Sequence, residues 1–111
     1  MRIILCCNAG LSTTMLMDSM KKTVENSQKL NSADFTFKAI PADALDSEID
    51  NCDAIVIGPQ VAHKLDQIKL LAEPRRIPYV VVDKETYGAM DGATVIKEVL
   101  IAQRKLELQN K

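Results

Sequence analysis

The chain has 111 residues, of which 47% are hydrophobic and 26% charged, which predicts one globular domain over residues 1–111. Its 14 Lys and Arg residues against 15 Asp and Glu residues argue against a nucleic-acid-binding protein and a polybasic membrane anchor. No stretch is apolar and long enough for a membrane span or a secretory signal peptide. Three cysteines without metal-ligand spacing fit a reducing compartment. We therefore expect a cytoplasmic protein that does not insert into a membrane.

Strand and helix patterns alternate through the first half of the chain. Residues 2–7 form a short apolar run that stops at Asn-Ala-Gly, which predicts a buried parallel strand. A helix is predicted from Ser12, because apolar residues then recur at every fourth position. Residues 35–40 predict a second strand ended by Pro41, and residues 42–50 a short helix or turn. The apolar positions of the predicted helix are Leu16, Met20 and Val24.

The same alternation continues to the end of the chain. Residues 52–58 predict a third strand and residues 60–71 a second long helix. Residues 78–82 predict a fourth strand, which is rich in β-branched side chains. A glycine-containing loop over 85–92 then leads to a final helix over about 93–106, with Asp91 as its N-cap.

This order predicts an α/β fold of three α/β/α layers, an open sheet of four parallel strands in the order 2-1-3-4 with helices on both faces. In such sheets, ligands bind beyond the carboxyl ends of the strands, where the strand order reverses. That point lies between the first and third strands. The loops that meet there are residues 7–14 and 58–60, so the architecture points to Cys7.

A cysteine at the end of a strand, followed by a short loop and a helix rich in hydroxyl groups, is a phosphatase-like arrangement. Backbone N–H groups of the loop and of the first helical turn carry partial positive charge and would stabilise a thiolate at Cys7. The same groups would hold the oxygens of a phosphoryl group attached to sulfur. The predicted phosphate-binding loop comprises Asn8, Ala9, Gly10, Leu11, Ser12, Thr13 and Thr14.

The absence of an arginine from the loop distinguishes a phosphate carrier from a phosphatase. A cysteine phosphatase loop has the pattern Cys-x5-Arg, but Thr13 stands where the arginine would fall. Asp83, after the fourth strand, is a possible general acid. Without the arginine, the loop should hold a phosphocysteine rather than hydrolyse it, as a carrier does. No nucleotide-binding loop or acidic cluster accompanies it, so we expect no cofactor and no metal.

Three segments together resemble a known family. Residues 5–14 (LCCNAGLSTT) resemble the active-site loop of the IIB components of the bacterial phosphoenolpyruvate-dependent sugar phosphotransferase system. Residues 56–61 (VIGPQV) and 87–92 (YGAMDG) resemble its lactose/cellobiose (diacetylchitobiose) branch. The resemblance extends over essentially the whole chain.

The resemblance implies a phosphocarrier and a phosphotransferase activity. A phosphohistidine of a IIA component would pass its phosphoryl group to Cys7, and the phosphocysteine would then pass it to a sugar carried by the IIC permease. The sugar would be a cellobiose-, chitobiose- or lactose-type β-glycoside. The chain would then work at the inner face of the membrane, through the permease.

Two other functions fit the same loop. One is a low-molecular-weight cysteine phosphatase or arsenate-reductase-like enzyme that lacks the loop arginine, which would hydrolyse an aryl phosphate. The other is a non-catalytic binding module, in which the Cys7 thiol would have ordinary reactivity.

The remaining candidate residues have ordinary structural explanations. Strand alternation places Cys6 in the packing of the sheet, and Cys52 lies at the amino-terminal edge of the third strand. His63, the only histidine, is expected at the surface. Gln60 and Tyr87 should border the Cys7 loop, although a helix-start residue and a loop anchor would explain them equally well.

Overall fold

The computed structural model describes residues 1–7 and 11–109, with residues 11 and 12 described by their backbone alone. The strands within these ranges form one parallel sheet of order β2-β1-β3-β4, which confirms the predicted topology. They are β1 (Arg2–Cys6), β2 (Thr36–Ile40), β3 (Ala54–Ile57) and β4 (Tyr79–Val81).

Helices pack on both faces of this sheet, again as predicted. The α-helices are α1 (Leu11–Asn26), α2 (Leu45–Glu48), α3 (Leu65–Ala72), α4 (Lys84–Gly88) and α5 (Gly92–Gln109). Short 3₁₀ turns flank α2, so the prediction of a short helix or turn over residues 42–50 is confirmed. No helix among the described residues has the length and apolar character that crossing a bilayer demands.

Two predicted segments differ from the structure. The loop predicted over 85–92 contains α4, because Asp83 accepts a hydrogen bond from the backbone N–H of Thr86 at 2.7 Å and so caps a helix. The helix predicted from Gln60 begins instead as 3₁₀ turns over Pro59–Lys64. Val61, at φ −119° and ψ 18°, interrupts the helical backbone there, so regular α-helix begins only at α3.

Alternate residues of β1 supply two separate cores. Ile3 and Leu5 pack with α1 and α5, whereas Ile4 and Cys6 pack with α2 and α3. We call these the long-helix face and the short-helix face of the sheet. The apolar stripe predicted for α1 lies on the long-helix face, where Leu16, Met20 and Val24 are all buried.

The register brings two strand ends beside the end of β1. Cys6 pairs with Ile40 of β2 and with Ile57 of β3, so these three residues lie level in the sheet. The next residue, Cys7, donates its backbone N–H to the carbonyl of Ile40 at 3.2 Å. Cys7 therefore stands at the carboxyl edge of the sheet, where the strand order reverses.

Candidate functional site

Cys7 lies between the end of β1 and the loop that leads to α1. It is only 1% exposed. Residues Asn8, Ala9 and Gly10 of the predicted phosphate-binding loop lie outside the described residues, as do the side chains of Leu11 and Ser12. The described part of the site thus consists of Cys7, the end of β3, and α1 from Thr13 onward.

Gly58, directly after β3, forms one wall of this site. Its backbone N–H donates to the carbonyl of Cys6 at 2.8 Å. A Cβ atom at Gly58 would lie 3.2 Å from Cβ of Cys7 and 2.8 Å from Oε1 of Gln60. The absence of a side chain therefore allows the chain after β3 to pass close to the cysteine. Gln60 borders this glycine, although the residue itself is exposed.

Thr13 and Tyr87 join the first turn of α1 to α4. Thr13, the third residue of α1, is 2% exposed, and Tyr87 on α4 is 6% exposed. Their hydroxyl groups, Oγ1 of Thr13 and Oη of Tyr87, form a hydrogen bond of 3.0 Å. The structure thus brings Tyr87 to the first turn of α1. Thr14, the next residue, is exposed.

Asp83 caps a helix. Two hydrogen bonds with Thr86, the first from its backbone N–H, lower the pKa of the exposed Asp83 carboxyl from its usual value. A carboxylate held in this way is ionised at neutral pH and has no proton to give to a leaving group. Its geometry supports a structural role and argues against a general acid.

Cys6 and Cys52 are poor nucleophiles. Burial is the main cause that raises the pKa of the Cys6 thiol to about 12 and that of Cys52 to about 11. The thiol of Cys52 also donates to the carbonyl of Ala54 at 3.1 Å. Both thiols are therefore protonated at neutral pH, whereas attack on phosphorus needs a thiolate. All three cysteines are free of disulfides.

His63 belongs to the 3₁₀ turns between β3 and α3 and is exposed, as predicted for a surface histidine. Among the residues that the structure describes, no three His, Cys, Asp or Glu side chains converge as metal ligands would.

Comparison with known families decides the identity of the chain. Residues 2–98 match the family model described as PTS system, Lactose/Cellobiose specific IIB subunit. The chain belongs to this IIB family. It is therefore a sugar-specific IIB component of the phosphotransferase system, as the three sequence segments predict.

Curated relatives of this IIB chain differ in the sugar for which they are named. The oligo-beta-mannoside-specific EIIB component of Bacillus subtilis is 28% identical over 99 residues, which cover 89% of this chain and 92% of that one. The cellobiose-specific EIIB component of Lactococcus lactis subsp. lactis is 29% identical, and 85% of this chain and 88% of that one are covered. The galactose-specific EIIB component of Lactococcus lactis subsp. cremoris has the same identity and coverage.

Solved structures of IIB proteins share the fold. The cellobiose-specific IIB component of Borrelia burgdorferi superposes with a TM-score of 0.74 at 28% identity, covering 95% of this chain and 93% of that one. The lactose-specific IIB domain of Streptococcus pneumoniae superposes with a TM-score of 0.73. Its 17% identity, over 91% of this chain and 94% of that one, supports the fold alone.

One contact between α1 and α5 has no counterpart in the sequence predictions. Gly92 begins α5 and packs directly on the backbone of α1 at Ser19 and Met20. Its N–H donates to Oγ of Ser19 at 3.0 Å. A glycine at the first position of a long helix is the signal that could have indicated this close approach.

Proposed function

We propose that the IIB chain carries a phosphoryl group on Sγ of Cys7. The donor would be the phosphohistidine of a IIA component, and the acceptor a hydroxyl group of a sugar held by the IIC permease. The observation that carries this proposal is the position of Cys7, at the carboxyl end of β1 and directly before α1, in a chain of the IIB family.

Each transfer exchanges one bond to phosphorus for another. First, the Cys7 thiolate attacks phosphorus, the S–P bond forms, and the P–N bond breaks with its electron pair left on the imidazole. Next, a sugar hydroxyl attacks, the O–P bond forms, and the S–P bond breaks to return the thiolate. The hydroxyl proton leaves to a base in the complex. Neither step consumes an oxidant or needs a metal bound to this chain.

The described residues favour holding the phosphoryl group over releasing it to water. Thr13 occupies the position of the arginine in a cysteine phosphatase, and its side chain is hydrogen-bonded to Tyr87. Asp83 is ionised and caps α4, so it offers no proton to a leaving group. Both features support a carrier over the phosphatase-like alternative.

Access to the sulfur is a condition of the mechanism. Cys7 is 1% exposed, so Sγ has to become more accessible before phosphorus can reach it. We infer that docking of IIA on the cytoplasmic side of the membrane, followed by docking of the permease, provides this access.

The acceptor is a small saccharide. Two relatives are named for cellobiose and for oligo-β-mannoside, which supports a β-glycoside as the sugar of this chain. The relative named for galactose shows that the sugar varies within the family. We therefore assign the selection of the sugar mainly to the permease.

The experiment that tests this function measures sugar phosphorylation and hydrolysis side by side. Membranes containing a IIC permease of this branch receive phosphoenolpyruvate, the general phosphotransferase proteins, a IIA component, cellobiose and the purified IIB chain. We expect cellobiose phosphate to form only when the IIB chain is added, and no hydrolysis of p-nitrophenyl phosphate by the IIB chain alone. Hydrolysis without sugar phosphorylation would assign the chain to the phosphatase-like class instead.

A further inference from the structure

The bond between Thr13 and Tyr87 joins two buried hydroxyl groups. Tyr87 belongs to the core of the long-helix face and Thr13 to the first turn of α1, and the two are separated by 74 positions in the chain. A buried hydroxyl without its partner costs considerably more than an exposed one, so each group restricts where the other can lie. The bond therefore fixes the first turn of α1 relative to α4.

Tyr87 itself is held by the segment on which it lies. Its N–H donates to the carbonyl of Asp83 at 3.0 Å, and the carboxylate of Asp83 caps the helix. Beyond α4, Gly92 donates to Ser19, the ninth residue of α1, so α1 is attached to this segment at two points. Tyr87 is thus a rigid support for α1, with its hydroxyl aimed at Thr13.

We propose that Tyr87 is a positioning residue for phosphoryl transfer at Cys7. Its hydroxyl holds Thr13, and so holds the first turn of α1 at the distance from β1 at which backbone N–H groups can receive phosphoryl oxygens. In this role Tyr87 acts through Thr13. This inference rests on the proposed function, since it concerns the transfer at Cys7.

Thr13 stands at the position of the arginine in the Cys-x5-Arg pattern. In a Cys-x5-Arg loop, the side chain at this position binds the phosphate directly. Here Thr13 is 2% exposed and hydrogen-bonded to Tyr87, so the side chain at this position joins the first turn of α1 to α4. Removing the bond should loosen the acceptor site and leave the sulfur itself unchanged.

The test removes hydroxyl groups without removing rings or changing side-chain volume. Tyr87→Phe and Thr13→Val each delete one partner, and the double variant deletes both. Thr13→Ser keeps the hydroxyl and serves as the conservative rescue. Tyr79→Phe is the matched control, because the other tyrosine lies at the start of β4 with its hydroxyl 3.4 Å from Oε2 of the exposed Glu73.

The readout is the rate of Cys7 phosphorylation by phosphorylated IIA, measured by rapid quench and intact-protein mass spectrometry at several IIA concentrations. We expect Tyr87→Phe and Thr13→Val each to lower the maximal rate about fivefold to tenfold, with the IIA concentration at half-maximal rate unchanged. The fold-loss of the double variant should be smaller than the product of the two single fold-losses, because both substitutions remove the same hydrogen bond. Thr13→Ser should recover most of the rate that Thr13→Val loses, because it restores the hydroxyl, and Tyr79→Phe should stay within about twofold of the wild type.

The double variant keeps the inference testable even if a single variant is unstable. Replacing both partners by apolar groups of similar shape removes both hydroxyls of this bond, so neither is left buried without the other. A folded double variant with the wild-type rate would overturn the inference and leave the proposed function intact. Absence of any phosphoryl adduct on the wild type would overturn the proposed function and this inference together.

Discussion

The two faces of the sheet are covered in different ways. On the long-helix face, α1 and α5 have 16 and 18 residues and pack on each other through Gly92. On the short-helix face, α2 and α3 have only 4 and 8 residues and are joined to the sheet by 3₁₀ turns. Two hydrogen bonds join α1 to the segment that follows β4 on this face, one between Thr13 and Tyr87 and one from Gly92 to Ser19.

The two adjacent cysteines, Cys6 and Cys7, have different surroundings. Cys6 points into the short-helix face, where burial raises the pKa of its thiol to about 12. Cys7 is one residue further, past the end of the strand and beside Gly58. One face thus buries Cys6, whereas the other carries the Thr13–Tyr87 bond to which we assign a positioning role in the proposed transfer.

The largest effect should come from the contact between α1 and α5. In Gly92→Ala, the new Cβ would lie 2.7 Å from Oγ of Ser19 and still closer to the α1 backbone, so the two helices have to separate. We expect the free energy of unfolding to fall by about 3 kcal/mol, as for severe overpacking. Urea denaturation followed by circular dichroism measures this change.

Gly88→Ala is the matched control for that substitution. A Cβ at Gly88 meets nothing within 4 Å, and its φ is not positive. The control should therefore be neutral or more stable by about 0.5 kcal/mol. Equal stabilities of the two variants would refute the close contact of α1 and α5 as a determinant of the long-helix face.

Gly58→Ala tests the other side of the site and should have an intermediate effect. The added Cβ would lie 3.2 Å from Cβ of Cys7 and 3.4 Å from the carbonyl of Cys6. We expect a loss of about 1 kcal/mol in stability and slower phosphorylation of Cys7, because the sulfur is displaced. Stability is measured by urea denaturation, and phosphorylation by mass spectrometry after addition of phosphorylated IIA.

A second substitution at Gln60 distinguishes the contact with Cys7 from the contact with Gln60 as the cause of the phosphorylation defect in Gly58→Ala. The new Cβ would also lie 2.8 Å from Oε1 of Gln60, which is the end of a flexible side chain. In Gly58→Ala/Gln60→Ala that contact disappears while the contact with Cys7 stays, so the phosphorylation defect should persist. Full recovery in the double variant would show that Gln60, and not the space beside Cys7, causes the defect.

The smallest effect is a pH dependence that belongs to the short-helix face. Burial raises the pKa of the Cys6 thiol to about 12 and that of the Cys52 thiol to about 11, from an ordinary value of 9.0. Above pH 9 the folded state therefore binds more protons than the unfolded state. The two thiols contribute their full stabilisation below that pH. This contribution is lost as the pH rises toward 11 and 12.

This loss is measured by urea denaturation at a series of pH values from 8 to about 10.5, where other groups also titrate. Cys6→Ala/Cys52→Ala isolates the contribution of the two thiols, and its stability should fall less steeply with pH than that of the wild type. Parallel curves for the two proteins would contradict the assignment of these thiols as buried and protonated.

Local sequence patterns predict the elements whose signals lie within one segment. The strand order, the buried stripe of α1 and the Asp91 cap, which accepts from the N–H of Thr94 at 3.1 Å, could all be predicted in this way. The sequence does not predict α4, because Gly88 is typical of a loop. In the structure, the cap at Asp83 stabilises the helix in spite of this glycine. The helix α3 begins only at Leu65, because the backbone from Pro59 forms 3₁₀ turns and Val61 interrupts the helical conformation.

Contacts between distant segments have no such local signal. The bond between Thr13 and Tyr87 spans 74 positions, and neither residue type alone indicates its partner. The contact of Gly92 with α1 depends on the packing of two helices that the chain brings together only in the fold. The roles predicted for Asn8, Ala9 and Gly10 stay predictions, since these residues lie outside the described ones.

The central claim is that Sγ of Cys7 carries the phosphoryl group. Its most direct test is intact-protein mass spectrometry of the wild type, Cys7→Ser and Cys6→Ala after incubation with phosphoenolpyruvate, the general phosphotransferase proteins and a IIA component. We predict one phosphoryl adduct on the wild type and on Cys6→Ala, and none on Cys7→Ser that retains the native circular dichroism spectrum. An adduct on Cys7→Ser, or its loss in a folded Cys6→Ala, would contradict the account.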